Sequence, residues 1–494
     1  MRVLLIYSNQ SREVEPAAPI GLSYVAAATR AAGHSVRLLD LAFAPDIHTA
    51  LRDCIATFRP EVVGLSIRNI DNVISQRFES PLATLQEQAR VIRDACGQGV
   101  PLVLGGPSIS ILGAQALPLF HADFAIVGEG EEAFPALLTA LHQREPVYAI
   151  AGLCYWRDGV PHRNPPALLA GFARSGMQDF VNWRDYQQLG GTWPLQSKRG
   201  CPMRCSYCTY PQIEGRKQRL REPADVLDEV ERVVRETGAR SFEFVDSTFN
   251  TPSSHALAIC EEIIRRRESG RVKAAFTTMG INPRDVPSEL FPLMKRAGFN
   301  SMMVSPEAGC DAMLKSLRKG FTMREVTRCA DLARQSGLKS LWCFMLGAPG
   351  ETTTTCDETL RFAESQLADG SFLSVFFIGI RILPGTALAT QAIAEGYIQP
   401  DTDLSTGVFY RSPLVSEEAL IRRVTLGITR NPCIVHAADS QVSERQRRVY
   451  RWLDRLGVAG PYWRFLPGWL SLPPIHYLRC KTLPSAPELL EQAA

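Results

Sequence analysis

Two successive series of short apolar runs, each run followed by a helical pattern, constrain this 494-residue chain more than any other feature. The first series fills residues 1–145. Its candidate strands are Val3–Tyr7, Val36–Asp40, Val62–Ser66, Leu102–Leu104 and Phe124–Val127, each bounded by Gly, Pro or polar residues. Helical patterns lie between them, such as Leu22–Ala32, closed by Gly33, and Glu131–His142. Strand–helix alternation implies a mostly parallel, doubly wound α/β sheet, because a parallel neighbour is reached only through a crossover. Such sheets bind ligands beyond the carboxyl ends of their strands. Two glycine turns fall there, Gly105-Gly106-Pro107-Ser108 and Gly128-Glu129-Gly130-Glu131. Glycine lets a ligand approach the backbone, and a following helix start offers free N–H groups. By these residues alone, a purely structural role for either turn weighs as much.

The second series runs from Leu195 to Pro384. Its candidate strands are Leu195–Lys198, Ser241–Val245, Lys273–Thr278, Ser301–Val304, Ser340–Leu346 and Ser374–Ile380. The helix from Pro223 to Glu236 is the clearest of its helices. Val226, Leu227, Val230, Val233 and Val234 share one face, Pro223 opens it and Gly238 closes it. Six such units cannot complete an eight-stranded barrel, so a partial (β/α)6 barrel is expected over 191–390. Residues 146–190 read as a connector, with a hairpin turn at Asp158-Gly159 and a break at Pro165-Pro166. Beyond 390 the rhythm is lost, and residues 391–494 read as a small, mostly helical region carrying Trp452, Trp463 and Trp469.

Composition narrows the function classes. A net charge of +3 with no long basic run argues against nucleic acid as a partner. No apolar run reaches the roughly 18 residues that span a bilayer, and the chain opens on a strand without a signal segment. The cytoplasm is the expected compartment. Of thirteen cysteines, ten are scattered singly, as small buried hydrophobes usually are. An odd total without a signal peptide favours metal or redox use of the remaining three over a disulfide framework.

Those three are Cys201, Cys205 and Cys208, within Cys201-Pro-Met-Arg-Cys205-Ser-Tyr-Cys208. Structural zinc needs four closed ligands, and no second knuckle is present. Three thiolates on a four-iron cluster would leave one iron open, and an open position means chemistry.

Cys-x3-Cys-x2-Cys, with Tyr207 before the last cysteine, resembles the signature of radical S-adenosylmethionine enzymes. In that family the motif follows the first strand of a partial (β/α)6 barrel. The resemblance implies a [4Fe–4S] cluster on Cys201, Cys205 and Cys208, with S-adenosylmethionine chelating the open iron and yielding a 5′-deoxyadenosyl radical. It implies an electron donor such as a flavodoxin or ferredoxin. Tyr207 belongs to the implied cofactor site. Phe244-Val-Asp-Ser-Thr-Phe-Asn250 resembles the stretch that contacts the methionyl amino group, which carries over to Asp246 and Ser247. Ser305-Pro-Glu-Ala-Gly309 resembles the fourth-strand motif whose glutamate binds the ribose, which brings in Ser305 and Glu307; a plain helix-capping carboxylate is the other reading of Glu307. Leu314–Thr322, Leu346–Thr352 and Ile382–Thr386 also match stretches of this branch, with Gly347 to Glu351 shaping a turn beside the cofactor.

The amino-terminal domain resembles the cobalamin-binding domain that precedes many such barrels, through Tyr7-Ser8, Pro19–Tyr24, Leu104–Ser108 and Val127–Glu131. Cobalamin contacts are implied for Gly105, Gly106, Pro107, Ser108, Gly128, Glu129 and Gly130. The loop Asn9–Glu15 has no histidine for the lower cobalt face, a departure from many corrinoid carriers. The implied activity is methylation of an unactivated carbon, or of a phosphinate, in a small-molecule or lipid-like substrate. Oxidative cyclisation or ring rearrangement of the tetrapyrrole type, and a non-catalytic corrinoid- or metal-binding role, are the rivals. In the tail, Arg445, Arg447 and Arg448 lie beside Val449, Tyr450, Trp452, Leu453 and Leu456. Packing of this stripe against its own domain is expected over a membrane-surface role.

Overall fold

The computed structural model describes residues 1–10, 15–440 and 442–483. The first strands form one seven-stranded sheet in the order Ser35–Asp40, Arg2–Tyr7, Val62–Ser66, Leu102–Gly105, Phe124–Ile126, Leu153–Arg157, Val160–Arg163. The first five are parallel. Their side chains alternate between two cores. Leu4 and Ile6 pack with Leu51, Ile55 and Leu85 on one face, and Val3 and Leu5 with Ala26, Phe134 and Leu137 on the other. Burial on both faces is what a doubly wound sheet requires.

The last two strands come from the stretch expected to be a connector. They form an antiparallel hairpin turning at Asp158 and Gly159, both at positive φ, the geometry that matches strand twist. The first sheet therefore extends to Arg163.

The barrel strands run in chain order. Trp193–Leu195, Ser241–Phe244 and Ala275–Thr278 form one parallel set. Ser301–Glu307, Lys339–Leu346 and Phe372–Ile378 form the next. Two isolated parallel bridges, Phe276 to Phe299 and Ile281 to Val304, join the sets. Outside them lie amphipathic helices such as Pro223–Thr237, whose Val226, Leu227, Val230 and Val233 are wholly buried and which ends at Gly238 in the left-handed region. The expected strand Leu195–Lys198 is broken. Lys198–Arg199 instead pairs antiparallel with Arg219–Leu220, because Asp246 draws the backbone at Ser197 and Lys198 toward itself. The expected strand Ser374–Ile380 likewise breaks at Gly379, where φ is +79°.

The largest departure lies beyond residue 390. Helix Glu417–Arg430 leads into strand Ile434–His436, which pairs parallel with Phe372–Ile378. The βα rhythm thus continues for one more unit, although the strand is too short to show in the sequence. Phe409–Tyr410 pairs antiparallel with Ile380–Arg381, and among the described residues the elements after His436 are helical.

Candidate active site at the mouth of the partial barrel

The three cysteines sit on a loop anchored at its entry and in its middle. At its entry, Gly200 takes φ +93°, and an added Cβ would lie 2.2 Å from the Lys217 carbonyl oxygen, so only glycine fits. Cys201 N–H donates to the Gly215 carbonyl at 3.0 Å. In mid-loop, Ser206 N–H donates to the Leu317 carbonyl, and its own carbonyl accepts from Leu388 N–H at the end of the barrel. Cys201 is buried, and Cys205 and Cys208 are half-buried. Among the described residues, no group of His, Cys, Asp or Glu is arranged to hold a single metal ion. The three thiols nonetheless act electrostatically on one another. Thiols set apart but mutually near suit a four-iron cluster, where each binds its own corner.

The end of the fourth barrel strand brings three groups together beside this loop. Tyr207 Oη donates to Glu307 Oε1 at 3.0 Å, and Lys319 Nζ donates to Tyr207 Oη at 3.2 Å and stands 3.5 Å from Glu307 Oε1. Glu307 itself is held at φ +69°, a conformation side chains other than glycine adopt only under constraint. Burial works to lower the Lys319 pKa, but Cys205, Glu307 and Cys208 outweigh it and raise it. The ammonium therefore persists inside the barrel mouth. Lys319 went unassigned in the sequence because nothing in Arg318-Lys319-Gly320 indicates that the chain folds back onto Tyr207. Ser305 lies half-buried two residues before Glu307.

Asp246, expected at the methionyl amino group, is hydrogen-bonded to the segment that precedes the cysteine loop. Its carboxylate accepts from Ser197 N–H at 2.8 Å, Ser197 Oγ at 2.6 Å and Lys198 N–H at 3.2 Å. It fastens the segment leading into the cysteine loop. Ser247 is closer to the thiols, its Oγ donating to the Gly200 carbonyl at 3.4 Å. Beneath them, burial lowers the Lys198 pKa to about 8, while its Nζ donates to the Phe249 carbonyl at 2.6 Å. On the second barrel strand, Phe242 and Phe244 are wholly buried in the barrel's hydrophobic core, while Glu243 is only half-buried. Thr192 Oγ1 lies 3.2 Å from Glu243 Oε2 and 3.3 Å from Glu15 Oε2, and burial pushes Glu243 up to about 7.

The two glycine turns lie at the carboxyl edge of the first sheet. Gly106 has φ +101° because the chain passes so close to Ile67 that a Cβ would meet its carbonyl oxygen at 2.5 Å. Ser108 Oγ donates to the Arg68 carbonyl at 2.8 Å. Gly105 differs, since a Cβ there would meet nothing within 4 Å. Pro107 opens the short helix Pro107–Leu112. In the second turn, Gly128 N–H donates to Ser110 Oγ at 2.9 Å, and a Cβ on Gly130 would crowd Val25.

Glu129 turns toward the barrel. It pairs with Arg199 at 3.2 Å and with Arg219 at 2.6 Å, all three side chains 6% exposed, and Glu131 adds a 2.7 Å contact to Arg199. The Arg199 guanidinium lies over Tyr24 and Phe172. A second clasp joins Asp71 to Arg381 at 2.7 Å, both almost wholly buried. The first sheet is thereby fastened beside the first barrel strand and just past the sixth. Sequence reasoning missed both clasps, since the partners lie far apart in the chain.

Comparison with known proteins follows the same division. Residues 195–363 match the model of the Radical SAM superfamily, and residues 15–138 that of the B12 binding domain. Tryptophan 2-C-methyltransferase of Streptomyces laurentii is 25% identical over 458 residues, covering 80% of this chain and 74% of the relative. Anaerobic magnesium-protoporphyrin IX monomethyl ester cyclase of Rubrivivax gelatinosus is 26% identical over 386 residues, covering 74% and 65%. The solved radical S-adenosylmethionine methyltransferase TsrM from Kitasatospora setae, with cobalamin and a [4Fe–4S] cluster bound, superimposes with a TM-score of 0.77 at 22% identity. That match covers 97% of this chain and all of TsrM, and it shows a shared fold. The cofactors follow from the two domain models: a [4Fe–4S] cluster and S-adenosylmethionine for the barrel, and cobalamin for the first sheet.

Proposed function

We propose that this chain, a radical S-adenosylmethionine protein with a B12 binding domain in front of its barrel, is a methyltransferase. Its target is an unactivated carbon, or a phosphinate, of a small or lipid-like metabolite. One observation carries the reading: the carboxyl edge of the cobalamin-type domain is clasped to the barrel beside the cysteine loop, through Glu129, Arg199 and Arg219. Two cofactor regions fixed against one another suit a reaction that needs both. The likeness to the named methyltransferases supports the choice of reaction.

When bound, the cluster supplies the electron that cleaves S-adenosylmethionine, and the corrinoid carries the methyl group. Cys201, Cys205 and Cys208 would hold three irons. Glu307 presents a carboxylate for the ribose hydroxyls, and Lys319 stands 3.5 Å from it as a counter-charge. Tyr207 orients Glu307, Ser247 holds the Gly200 carbonyl at the entry to the cysteine loop, and Ser305 precedes Glu307 by two residues on the same strand. Asp246 acts through the backbone it holds. Gly105 leaves room for a corrinoid edge, whereas Gly106, Pro107, Ser108, Gly128 and Gly130 set the shape of the two turns. Glu129 joins the domains.

The test supplies S-adenosylmethionine with a deuterated methyl group and an electron donor such as a reduced flavodoxin. A methyltransferase gives a product bearing the label, with S-adenosylhomocysteine and 5′-deoxyadenosine in about equal amounts, since one cofactor donates methyl and the other the radical. The named cyclase relative favours a second reading, oxidative ring closure. An unlabelled product that has lost hydrogen, with 5′-deoxyadenosine alone, decides for it.

A further inference from the structure

The arginine-rich stripe of the tail packs against its own domain only in part, with Tyr450 buried and Arg447 and Leu453 half-buried. In helix Glu444–Arg455 only Tyr450 is buried. Arg445, Arg448, Val449, Trp452 and Leu456 are all exposed, Val449 by 52%, Trp452 by 58% and Leu456 by 59%. Their spacing places them along one helical stripe. The next segments continue the pattern with exposed Phe465, Trp469, Leu472, Tyr477 and Leu478. Eight of the 21 large exposed apolar side chains among the described residues thus fall within 449–478. Isolated exposed hydrophobes are ordinary; a concentration of this kind marks an interaction surface.

Charge identifies the partner. Residues 444–482 hold eight Arg or Lys against two acids, in a chain whose total net charge is only +3. Arg445, Arg448, Arg451 and Arg455 are exposed on the same helix as Trp452. Protein–protein interface cores enrich Arg along with the aromatics but are depleted of charge overall, whereas this segment keeps four arginines exposed on one helix. Arginines interleaved with Trp, Phe and Tyr instead suit a lipid headgroup layer, where aromatic rings enter the boundary and guanidinium groups meet phosphate. Among the described residues no helix is long and apolar enough to cross a membrane. We propose that the C-terminal region docks peripherally on an anionic membrane surface, through Val449, Trp452 and Leu456 and the arginines around them.

The neighbouring face of the helix lines a cavity of about 350 Å³, where Arg447, Tyr450 and Arg451 face Gln10, Ala17 and Leu189. A docked chain would present this cavity next to the lipid boundary. Its use for a lipid-like substrate rests on the methyltransferase reading; the docking does not.

Sedimentation of the full-length, cofactor-loaded protein with vesicles tests the docking. Binding is expected to phosphatidylcholine vesicles containing phosphatidylglycerol, much less to phosphatidylcholine alone, and to fall as salt rises. Arg445→Ser with Arg448→Ser should weaken it about 25-fold, at roughly fivefold per charge. Trp452→Ser with Leu456→Ser should weaken it as well. Tyr148→Ser, at an equally exposed aromatic in the first domain, should not. Iron content and circular dichroism verify that each variant is folded. Failure of the unaltered protein to bind anionic vesicles overturns the proposal, as does binding that both double variants retain. Capture by an acidic protein without vesicle binding also counts against it.

Discussion

Arg199 and Glu129 meet at 3.2 Å with each side chain 6% exposed, although seventy residues and a domain boundary separate them. Arg199 immediately precedes Gly200 and Cys201. The clasp between domains and the entry to the cysteine loop are therefore the same piece of chain. A charge so far from water must be paired, and here each arginine finds a carboxylate and each Glu129 oxygen a guanidinium.

Removing Glu129 should accordingly loosen the contact between the domains at this clasp, leaving Asp71–Arg381 to hold the other side. Glu129→Ala leaves Arg219 without its ion pair, and breaking a buried pair costs about 3–5 kcal/mol. Limited proteolysis of the full chain should then cut between the first sheet and the barrel, where the unaltered protein resists. Glu79→Ala, on a pair at 48% and 56% exposure, should cost well under about 1 kcal/mol.

The cysteine loop depends on Gly200. Gly200→Ala demands both a strained φ and displacement of the Lys217 carbonyl, so reconstituted iron and sulfide should fall below half of normal. Gly159→Ala also sits at positive φ but in open space. It should cost only about 1 kcal/mol and leave iron unchanged.

Reconstituted protein should carry about four irons and four sulfides. Joint replacement of Cys201, Cys205 and Cys208 by Ala should remove both, with loss of the visible absorption of the cluster. Cys329→Ala, at a wholly buried thiol on a barrel helix, should leave the iron content alone. Retention of full iron by the triple variant would refute the assignment.

Glu307→Gln should weaken S-adenosylmethionine binding by about 1–3 kcal/mol, the usual loss for a hydrogen bond to a charged group. Calorimetric titration measures it. Iron content should not change, because no thiol is altered.

Stability should also respond to pH through Glu351. Burial raises its carboxyl to about 7, only partly offset by Thr355 and the N–H groups of Gly347 and Ala348. The folded chain thus holds this proton more tightly than the unfolded one. The stabilisation is fully present below about pH 4.5 and is lost as pH rises through about 7. A loss on the order of 1–3 kcal/mol between pH 5 and 8 is expected, from a shift worth about 1.4 kcal/mol per unit. Glu351→Gln should flatten that part of the profile in denaturant titrations.

The sequence by itself determined most of the elements and the spacing of the three candidate cluster thiols. Strands such as Val62–Ser66 and helices such as Pro223–Thr237 are specified by apolar period and by local caps, which act over a few residues. Cys201, Cys205 and Cys208 are legible for the same reason, as their spacing lies within one loop. Tertiary structure decided what depends on distant partners. It drew Glu129 of the second glycine turn onto Arg199 and Arg219, and it tied Asp246 to Ser197. Lys319 reached Tyr207 and Glu307 only because the barrel brings three remote segments to one mouth. Strand Ile434–His436 is too short to carry a period and forms because Phe372–Ile378 offers it an edge. Val449, Trp452 and Leu456 form a stripe in the sequence, but whether a stripe faces a core or the solvent depends on what packs over it, and here the fold leaves them outside.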